Sequence, residues 1–331
     1  MQKRESLLLI GDVLQSDSKL RGMLGDLELK RAESMSSDQL VELLVNDQSI
    51  RGIVCPLSQK IDEGVLSLTP QLKIVSNIAV GLDNIDLDSA RERGVRIAHT
   101  PNVLTEATAD FAWALLLSGA RRVVMGDRLV RSGQWKGWRM NQLLGRSIGG
   151  ESSLSGKKLL GIIGLGRIGY AIAQRALGFS MDVFYYSRTR KVELEVSQGW
   201  RFAELNDLIS RADYLVVCTP LTKDTRHLIN GDRLKLMKRS AFLVNIGRGA
   251  VIDEEALIES LEMGHLSGAA LDVYENEPSV PARLRSLPQV TLSPHLGSAT
   301  IEARYEMCTQ ALLAAVATIR GEDTSDFCFA V

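Results

Sequence analysis

Three glycines at one spacing are the first residues of this chain that could do chemistry. They form a G-x-G-x-x-G pattern between an apolar run of strand type and an amphipathic helical pattern. In that setting the first glycine permits a tight turn, the second lets the backbone approach a pyrophosphate, and the third lets helix and strand pack closely. The N–H groups at the helix start would face the anion. We therefore predict a dinucleotide site with contacts from Gly164, Gly166, Arg167, Ile168 and Gly169.

The end of the next strand-like run bears on the choice of dinucleotide. An NAD site usually has Asp or Glu there, roughly 20 residues past the glycines, to bind the ribose 2′-hydroxyl. This chain has no acid at that place, and the run is followed by Ser187, Arg188, Thr189 and Arg190. Arginines form charge-assisted, forked hydrogen bonds with phosphate. We predict contacts from these four residues and NADP(H) as the preferred cofactor, with NAD(H) possible; alternatively, the bases only solvate a surface turn.

Polar segments follow several other strand-like runs. They lie at 245–249, 272–278 and 293–298, and a glycine-bearing segment lies at 77–84. In open α/β sheets, ligands bind outside the carboxyl ends of the strands, so these segments are candidates for the reaction site. A glycine in the segment 77–84 frees backbone N–H groups to face a small anion, although a helix-capping turn is an equal alternative there.

The elements that must position these residues alternate between strand and helix patterns. Strand-like runs in the first hundred residues lie at 7–10, 52–55, 73–78 and 95–98. Six further runs lie at 159–163, 182–186, 214–218, 242–245, 269–271 and 290–292. The alternation predicts an α/β protein whose parallel sheets are covered on both faces. Six parallel strands with intervening helices make a doubly wound, Rossmann dinucleotide domain.

A break at Thr100-Pro101-Asn102 suggests a domain boundary, because proline cannot lie inside a helix. The helical pattern over 303–319 near the end of the chain most simply returns to the first domain. We therefore predict a smaller, flavodoxin-like α/β substrate-binding domain of residues 1–100 and 299–331. The dinucleotide-binding domain, residues 101–298, would be inserted into it.

Composition excludes several classes of partner. The net charge of -1 gives no reason to expect nucleic acid or an acidic membrane surface. The four cysteines lack C-x-x-C spacing, which favours free thiols in a reducing compartment over disulfides or a zinc site, and we predict no metal. The apolar run near the start is too short for a signal peptide, and the stretch 111–117 is too short to span a bilayer. We expect a cytoplasmic protein.

Several motifs in a fixed order resemble the D-isomer-specific 2-hydroxyacid dehydrogenase family, and most closely its glyoxylate/hydroxypyruvate reductase branch. Beside the glycine turn they are VGLDNID, TPNVLTEATAD, NIGRGAVID, LDVYENEP and SPHLGSAT, and they extend over about residues 72–321. The resemblance implies an enzyme that transfers a hydride from NADPH to a small 2-oxo acid. Glyoxylate would give glycolate, and hydroxypyruvate would give D-glycerate.

The resemblance also implies roles for individual residues. His295 would be the proton donor, Glu277 would orient its ring and favour imidazolium, and Arg248 would bind the carboxylate and polarise the ketone. These residue types suit the reaction, because negative charge grows on the carbonyl oxygen as hydride arrives. The backbone at Val80 and Gly81 would hold the substrate carboxylate. Further cofactor contacts would come from Thr219, Pro220, Ile246, Gly247, Asp272, His295 and Gly297.

A polar, glycine-bearing stretch over 132–155 holds Trp135 and Trp138. In the reductase branch an aromatic matching Trp138 reaches the neighbouring subunit's substrate site, so the resemblance implies a homodimer with Trp138 as a substrate contact. The other histidines, His99, His227 and His265, are interpreted as structural or surface residues. Two alternatives remain: a dehydrogenase for a bulkier 2-hydroxy acid, and a dinucleotide-sensing corepressor of the C-terminal-binding-protein type.

Overall fold

A computed structural model describes residues 4–150 and 156–331. Residues 1–3 and 151–155 lie outside the described residues. The first group precedes the short N-terminal apolar run, and the second ends the tryptophan-bearing stretch. The chain divides into two compact units, Met1–Leu104 with Ala299–Val331, and Thr105–Ser298. The sequence suggested a boundary after residue 100. Residues 100–104 belong to the first unit, where the Thr100 N–H donates to the carbonyl of Ala79 and the Asn102 amide donates to Cys328 Sγ.

The first segment alternates strands and helices. Its elements are β1 (Ser6–Ile10), α1 (Asp17–Leu24), β2 (Glu28–Ala32), α2 (Ser37–Asn46), β3 (Ile50–Pro56), α3 (Glu63–Ser67), β4 (Ile74–Ile78), α4 (Leu87–Glu92) and β5 (Arg96–His99). Helix α2 begins after Ser36, whose side chain accepts from the Gln39 N–H while the Gln39 side chain accepts from the Ser36 N–H. This capping box satisfies two N–H groups that a helix start leaves without partners.

The second unit begins with two helices and continues as a doubly wound sheet. Its elements are α5 (Thr105–Ala120), α6 (Val123–Arg131), β6 (Leu159–Ile163), α7 (Arg167–Ala176), β7 (Asp182–Tyr186), α8 (Val192–Gln198), β8 (Arg201–Phe202), α9 (Leu205–Arg211), β9 (Tyr214–Val217), α10 (Gly231–Leu236), β10 (Phe242–Asn245), α11 (Glu254–Glu262), β11 (Gly268–Leu271), α12 (Ala282–Ser286) and β12 (Val290–Leu292). Two 3₁₀ turns, Leu177–Phe179 and Gly249–Val251, lie among them.

The second sheet has the strand order β8-β7-β6-β9-β10-β11-β12, and all its pairings are parallel. This is the 3-2-1-4-5-6 order of dinucleotide-binding domains with one more edge strand, which confirms the predicted fold class. The expected number of strands was wrong. The sequence predicted six and the sheet has seven, because β8 is only two residues long and has no periodic pattern.

The chain then returns to the first unit with α13 (Ile301–Arg320) and β13 (Cys328–Phe329), and α13 packs on β3 and β4. The first sheet has the order β2-β1-β3-β4-β5-β13, which contains the flavodoxin-like order 2-1-3-4-5. It is not wholly parallel as expected, because the short edge strand β13 runs antiparallel to β5. Strand β2 was also missed, since its sequence ELKRA is polar and lies at an edge.

The central strands are buried on both faces, as in covered parallel sheets. Every residue of β1, β9, β10 and β11 is buried. Such close-packed strands hold the loops at their carboxyl ends in fixed positions. Over residues 4–150 and 156–331, no helix is both long enough and apolar enough to cross a membrane.

Candidate active site

The candidate site segments of the second unit follow the carboxyl ends of five neighbouring parallel strands. Gly164 follows β6, Thr219 lies two residues after β9, and Ile246 follows β10. Asp272 follows β11, and Ser293 follows β12. Because parallel strands share one carboxyl edge, the segments that the sequence singled out in this unit lie along the same side of the sheet.

The glycine turn has the geometry that a pyrophosphate cradle requires. Gly164 has φ of 99°, and a Cβ at Gly169 would overlap the carbonyl oxygen of Gly164. Helix α7 begins at Arg167 after Gly166 with no side-chain cap, so its first N–H groups are open to an anion. A cleft of ≈ 990 Å³ borders Gly166 and Arg167 and extends to Lys191. These residues fit a bound dinucleotide.

The tip of β7 has a more specific arrangement than its sequence suggested. The Arg190 guanidinium donates to both oxygens of Glu195 at 2.7 and 2.6 Å. Tyr185 donates to the same carboxylate at 2.8 Å, and Ser187 donates to the carbonyl of Thr189 at 2.7 Å. Arg188 is exposed and makes no hydrogen bond or ion pair with any residue of the described ranges.

A carboxylate therefore already engages one of the two arginines expected at a 2′-phosphate. The hydrogen bond from Arg190 holds the pKa of Glu195 below its usual value, so this carboxylate is ionised at neutral pH. The sequence analysis missed Glu195, although an acid five residues beyond an arginine was a readable signal.

The second candidate arrangement joins His295 and Glu277. His295 Nδ1 lies 2.9 Å from Glu277 Oε2, and the other carboxylate oxygen accepts the Tyr274 N–H at 3.1 Å. Burial raises the pKa of Glu277. The hydrogen bond and charge of His295, the Tyr274 N–H and the charge of Arg248 outweigh burial and hold this pKa below its usual value. The expected contact is present, and it engages Nδ1 of the ring rather than Nε2.

Asp272 holds the backbone on which His295 lies. Its carboxylate accepts the Ser293 hydroxyl at 2.7 Å and the N–H groups of Leu296 and Gly297 at 2.7 and 2.8 Å. Its carbonyl accepts the N–H of His295 at 2.9 Å. His295 has φ of 55°, a left-handed conformation that is uncommon outside glycine and persists only where surrounding contacts enforce it.

The Asp272 side chain is only 1% exposed, and its recorded contacts are to this loop. Burial raises its pKa, although the hydroxyl and the two N–H groups act in the opposite direction. The geometry therefore supports positioning of the His295 loop, whereas the expected cofactor contact of Asp272 remains a prediction.

Arg248 lies at the turn after β10 and is partly buried. Its Nη1 donates to the Gly247 carbonyl at 2.9 Å, and the Asn245 side chain donates to the Arg248 carbonyl at 3.0 Å. Gly247 packs closely on Thr219, since a Cβ at Gly247 would lie 2.7 Å from the Thr219 carbonyl oxygen. Pro220 accepts the Thr225 hydroxyl at 2.7 Å. These contacts tie the turns after β9 and β10 together.

Val80 and Gly81 belong to the loop after β4 in the first unit. The Asn77 side chain donates to the Gly81 carbonyl at 2.8 Å, and His99 Nδ1 lies 3.0 Å from the Val80 carbonyl. Within the described ranges the N–H groups of Val80 and Gly81 have no hydrogen-bond partner. Their contact with the substrate carboxylate stays a prediction.

Trp138 is 76% exposed. Further exposed apolar residues lie in the same part of the sequence, between residues 123 and 144, namely Val123, Val130, Trp135, Met140 and Leu144. Monomeric proteins rarely leave such a group uncovered.

His227 contacts a carboxylate that its neighbours in the sequence did not indicate. His227 Nε2 lies 2.8 Å from Glu275 Oε1, and Arg226 donates to the same oxygen at 3.0 Å. This partner could not be foreseen, because Glu275 is 48 residues away and no local pattern links the two; the contact is compatible with the interpretation of His227 as a structural residue. Among the residues with described positions, no group of three or more His, Cys, Asp or Glu could hold a metal ion.

Comparison with known proteins agrees with this arrangement. A sequence profile of the D-isomer specific 2-hydroxyacid dehydrogenase NAD binding domain matches residues 113–297. A glyoxylate reductase from Pyrococcus horikoshii is 48% identical over 284 residues, which are 85% of this chain and 83% of that protein.

Solved structures of similar proteins superimpose over nearly the whole chain. A glyoxylate reductase from Paecilomyes thermophila gives a TM-score of 0.85 at 31% identity and covers 97% of each chain. An NADPH-dependent glyoxylate/hydroxypyruvate reductase from Sinorhizobium meliloti, in complex with NADP and malonate, gives 0.82 at 31% identity. That match covers 96% of this chain and 94% of the other.

Proposed function

Because this chain belongs to the D-isomer specific 2-hydroxyacid dehydrogenase family, we propose that it reduces glyoxylate and hydroxypyruvate with NADPH. The family membership confirms the expected resemblance and enzyme class: the protein is an oxidoreductase that uses a nicotinamide dinucleotide on small 2-oxo or 2-hydroxy acids. The observation that carries the proposal is the His295–Glu277 pair, which lies with Arg248 on the same side of the sheet as the glycine turn.

In the proposed reaction, a bound nicotinamide cofactor supplies the hydride. His295 gives its proton to the carbonyl oxygen, because imidazolium is the side chain most easily poised for this near neutral pH. Glu277 stabilises the imidazolium through the 2.9 Å contact. Arg248 binds the substrate carboxylate and polarises the ketone, for which its planar fork is suited. The backbone N–H groups of Val80 and Gly81 stay predicted contacts for an anion.

A substrate panel tests the reaction. The purified protein would be given NADPH with glyoxylate, hydroxypyruvate and a series of 2-oxo acids with longer side chains. We expect the highest kcat/KM for the two small acids. A preference for a longer side chain would identify a dehydrogenase of bulkier substrates. Tight dinucleotide binding without turnover of any acid would instead favour a corepressor-type binding protein.

For the cofactor, we propose that Arg188 is the main ligand of the 2′-phosphate. Glu195 already binds Arg190 through both of its oxygens, whereas Arg188 is exposed and has no partner in the described part of the chain. The turn of Ser187 and Thr189 completes this side of the site. The remaining contacts are proposed at the glycine turn and at Thr219, Pro220, Ile246, Gly247 and Gly297.

Arg188→Ala should weaken NADPH binding about 10- to 100-fold, because a hydrogen bond to a charged group contributes about 1.5–3 kcal/mol. It should leave NADH binding nearly unchanged. Arg190→Ala is the matched control and should have a smaller effect, since Glu195 engages this guanidinium. Dissociation constants measured by calorimetry would decide. Equal loss of NADH affinity in Arg188→Ala, or a wild-type preference for NADH, would contradict the assignment.

We further propose a homodimer that works in a reducing cytoplasm. The exposed apolar residues around Trp138 support a subunit interface, and two-fold dimers are the commonest closed assembly. All four cysteines are free thiols, which supports a reducing compartment.

A further inference from the structure

His227 bridges two loops that carry separate parts of the proposed reaction site. Its main-chain N–H donates to the Ala250 carbonyl at 2.8 Å, in the 3₁₀ turn directly after Arg248. Its ring nitrogen Nε2 lies 2.8 Å from Glu275 Oε1, two residues before Glu277. One residue therefore contacts the turn that presents the guanidinium and the loop that presents the carboxylate.

The Glu275 side of this bridge is held at several points. Arg226 donates to Oε1 of Glu275 at 3.0 Å, and Oε1 of Glu254 on α11 accepts the Glu275 N–H at 3.1 Å. The side chain of Glu275 is only 19% exposed. Burial raises the pKa of Glu254, as expected for a carboxyl group enclosed beside another acid.

The two bridged loops also touch directly through their main chains. A Cβ at Gly249 would overlap the carbonyl carbon of Tyr274, so no side chain could be placed between them. The N–H of Tyr274 donates to Glu277 at 3.1 Å. Main-chain contacts of Tyr274 therefore link the Arg248 turn to the carboxylate that contacts His295.

The backbone of His227 has a conformation that is uncommon for a residue with a side chain. It has φ of 49°, a left-handed conformation that glycine adopts without strain and that a residue with a Cβ adopts at a cost. If only the backbone conformation mattered, glycine would fit this turn with the least strain. The imidazole and its contact with Glu275 give a reason for a histidine here.

We propose that His227 is a positioning residue for the reaction. Through Ala250 and Glu275 it fixes the Arg248 turn relative to the Glu277 loop, and it thereby holds Glu277 against His295. The role rests on the proposed function, in which the His295–Glu277 pair donates the proton. The charged groups that face the bridge are Glu275, Arg226 and Glu254, and those that face the pair are Arg248 and Asp272.

His227→Gly tests the ring separately from the backbone, because glycine retains the left-handed conformation. We expect kcat for glyoxylate with NADPH to fall about 10- to 100-fold, the loss that about 1 Å of misplacement can cause. The high-pH limb of the pH–rate profile, where the proton donor is lost, should move to lower pH. Combined with Glu277→Gln, the substitution should cost far less than the product of the two separate losses.

Two further variants separate positioning from folding. His227→Gln offers an N–H donor of similar reach to Glu275 and should recover most of the lost kcat. His265→Gln is the matched control: its main-chain N–H donates to Ser260, and within residues 4–150 and 156–331 its side chain has no hydrogen-bond partner, so kcat and the pH profile should be unchanged. Thermal unfolding of each variant checks that the protein is folded.

An NMR measurement, which does not depend on turnover, completes the test. In the wild type, the Nδ1 proton of His295 should give the downfield NMR signal of a hydrogen bond to a carboxylate, and this signal should be lost in His227→Gly. Its persistence in His227→Gly, or an unchanged kcat and pH profile in an otherwise active enzyme, would overturn the positioning role. Failure of the wild type to reduce any 2-oxo acid would overturn the proposed function, and the NMR result would still decide the role of His227.

Discussion

His295 adopts a left-handed backbone conformation that few residues other than glycine adopt, and Asp272 enforces it through three main-chain contacts. The ring is then held by Glu277, whose pKa lies below its usual value chiefly because the interactions with His295 outweigh burial. Because the interaction between two charges is reciprocal, this carboxylate would stabilise an imidazolium formed at His295. At this scale the geometry supports the proposed role of His295 as proton donor, through a constrained backbone and one contact with a carboxylate.

Glu277→Gln keeps a hydrogen-bond acceptor and removes the charge. The high-pH limb of the pH–rate profile should therefore move to lower pH, because the proton on His295 is held less strongly. Initial rates with glyoxylate and NADPH across the neutral range would measure the shift. An unchanged limb would count against the pair as the proton-donating unit.

The same substitution has a consequence for stability. A carboxyl group whose folded-state pKa lies below its usual 4.5 contributes stability above that pH, and the contribution is lost as the pH falls through the folded-state value. Wild type should therefore have the higher Tm near neutral pH. Its advantage over Glu277→Gln should shrink as the pH falls below about 4.5.

At the scale of elements, parallel strands with buried faces bring residues far apart in sequence to one edge. Strands β7, β10 and β12 coincide with runs predicted from sequence, because apolar runs between turn residues are a strong signal. Strands β2, β8 and β13 were missed because they are polar or only two residues long, and tertiary pairing at the sheet edge forms them.

In the candidate site, too, some features could be predicted from the sequence and others could not. The glycine turn and the motif residues could be found from local spacing and the family resemblance. The Glu195 contact with Arg190 joins residues five apart and could have been proposed from local spacing. The Glu275 contact with His227 could not, because the residues are 48 apart and their pairing depends on how loops are placed in the folded chain. The role of Asp272 in holding the His295 loop likewise could not be predicted, because its partners Leu296 and Gly297 are distant in sequence.

Asp272→Asn tests how the loop after β12 is held. An amide would place an N–H₂ group against a main-chain N–H that now donates to a carboxylate oxygen, and leaving such a buried group unsatisfied costs about 1–3 kcal/mol. We expect the free energy of unfolding to fall by that amount in denaturant titrations and kcat to fall with it.

Ser293→Ala is the matched control for this substitution. It removes one donor to Asp272 and leaves both loop N–H contacts, so its effect should be the smaller one. Equal stability and activity of Asp272→Asn and wild type would show that the loop is held in some other way.

At the scale of the whole molecule, the exposed apolar residues of the segment 123–144 support the proposed subunit interface. Trp138 is 76% exposed, and Trp135 in the same stretch is 52% exposed. Tryptophan is enriched in buried cores of protein interfaces, where its large surface is removed from water. A second copy of this chain is the partner we propose.

Trp138→Ala should raise KM for glyoxylate while the dissociation constant for NADPH remains near its wild-type value, because the proposed contact is with the partner's substrate. Light scattering after size-exclusion chromatography should show that the wild type is a dimer. Trp135→Ala is the comparison at a neighbouring exposed tryptophan, for which no substrate contact is proposed. A monomeric wild type with full activity would contradict the proposed contact.

The most direct test of the account is the single-turnover rate of NADPH oxidation by glyoxylate in His295→Asn. We predict that this rate falls by about 10²- to 10⁴-fold, the usual contribution of a general acid, while the affinity for NADPH, measured separately, changes little. A near-wild-type rate in His295→Asn would contradict the central claim that His295 donates the proton.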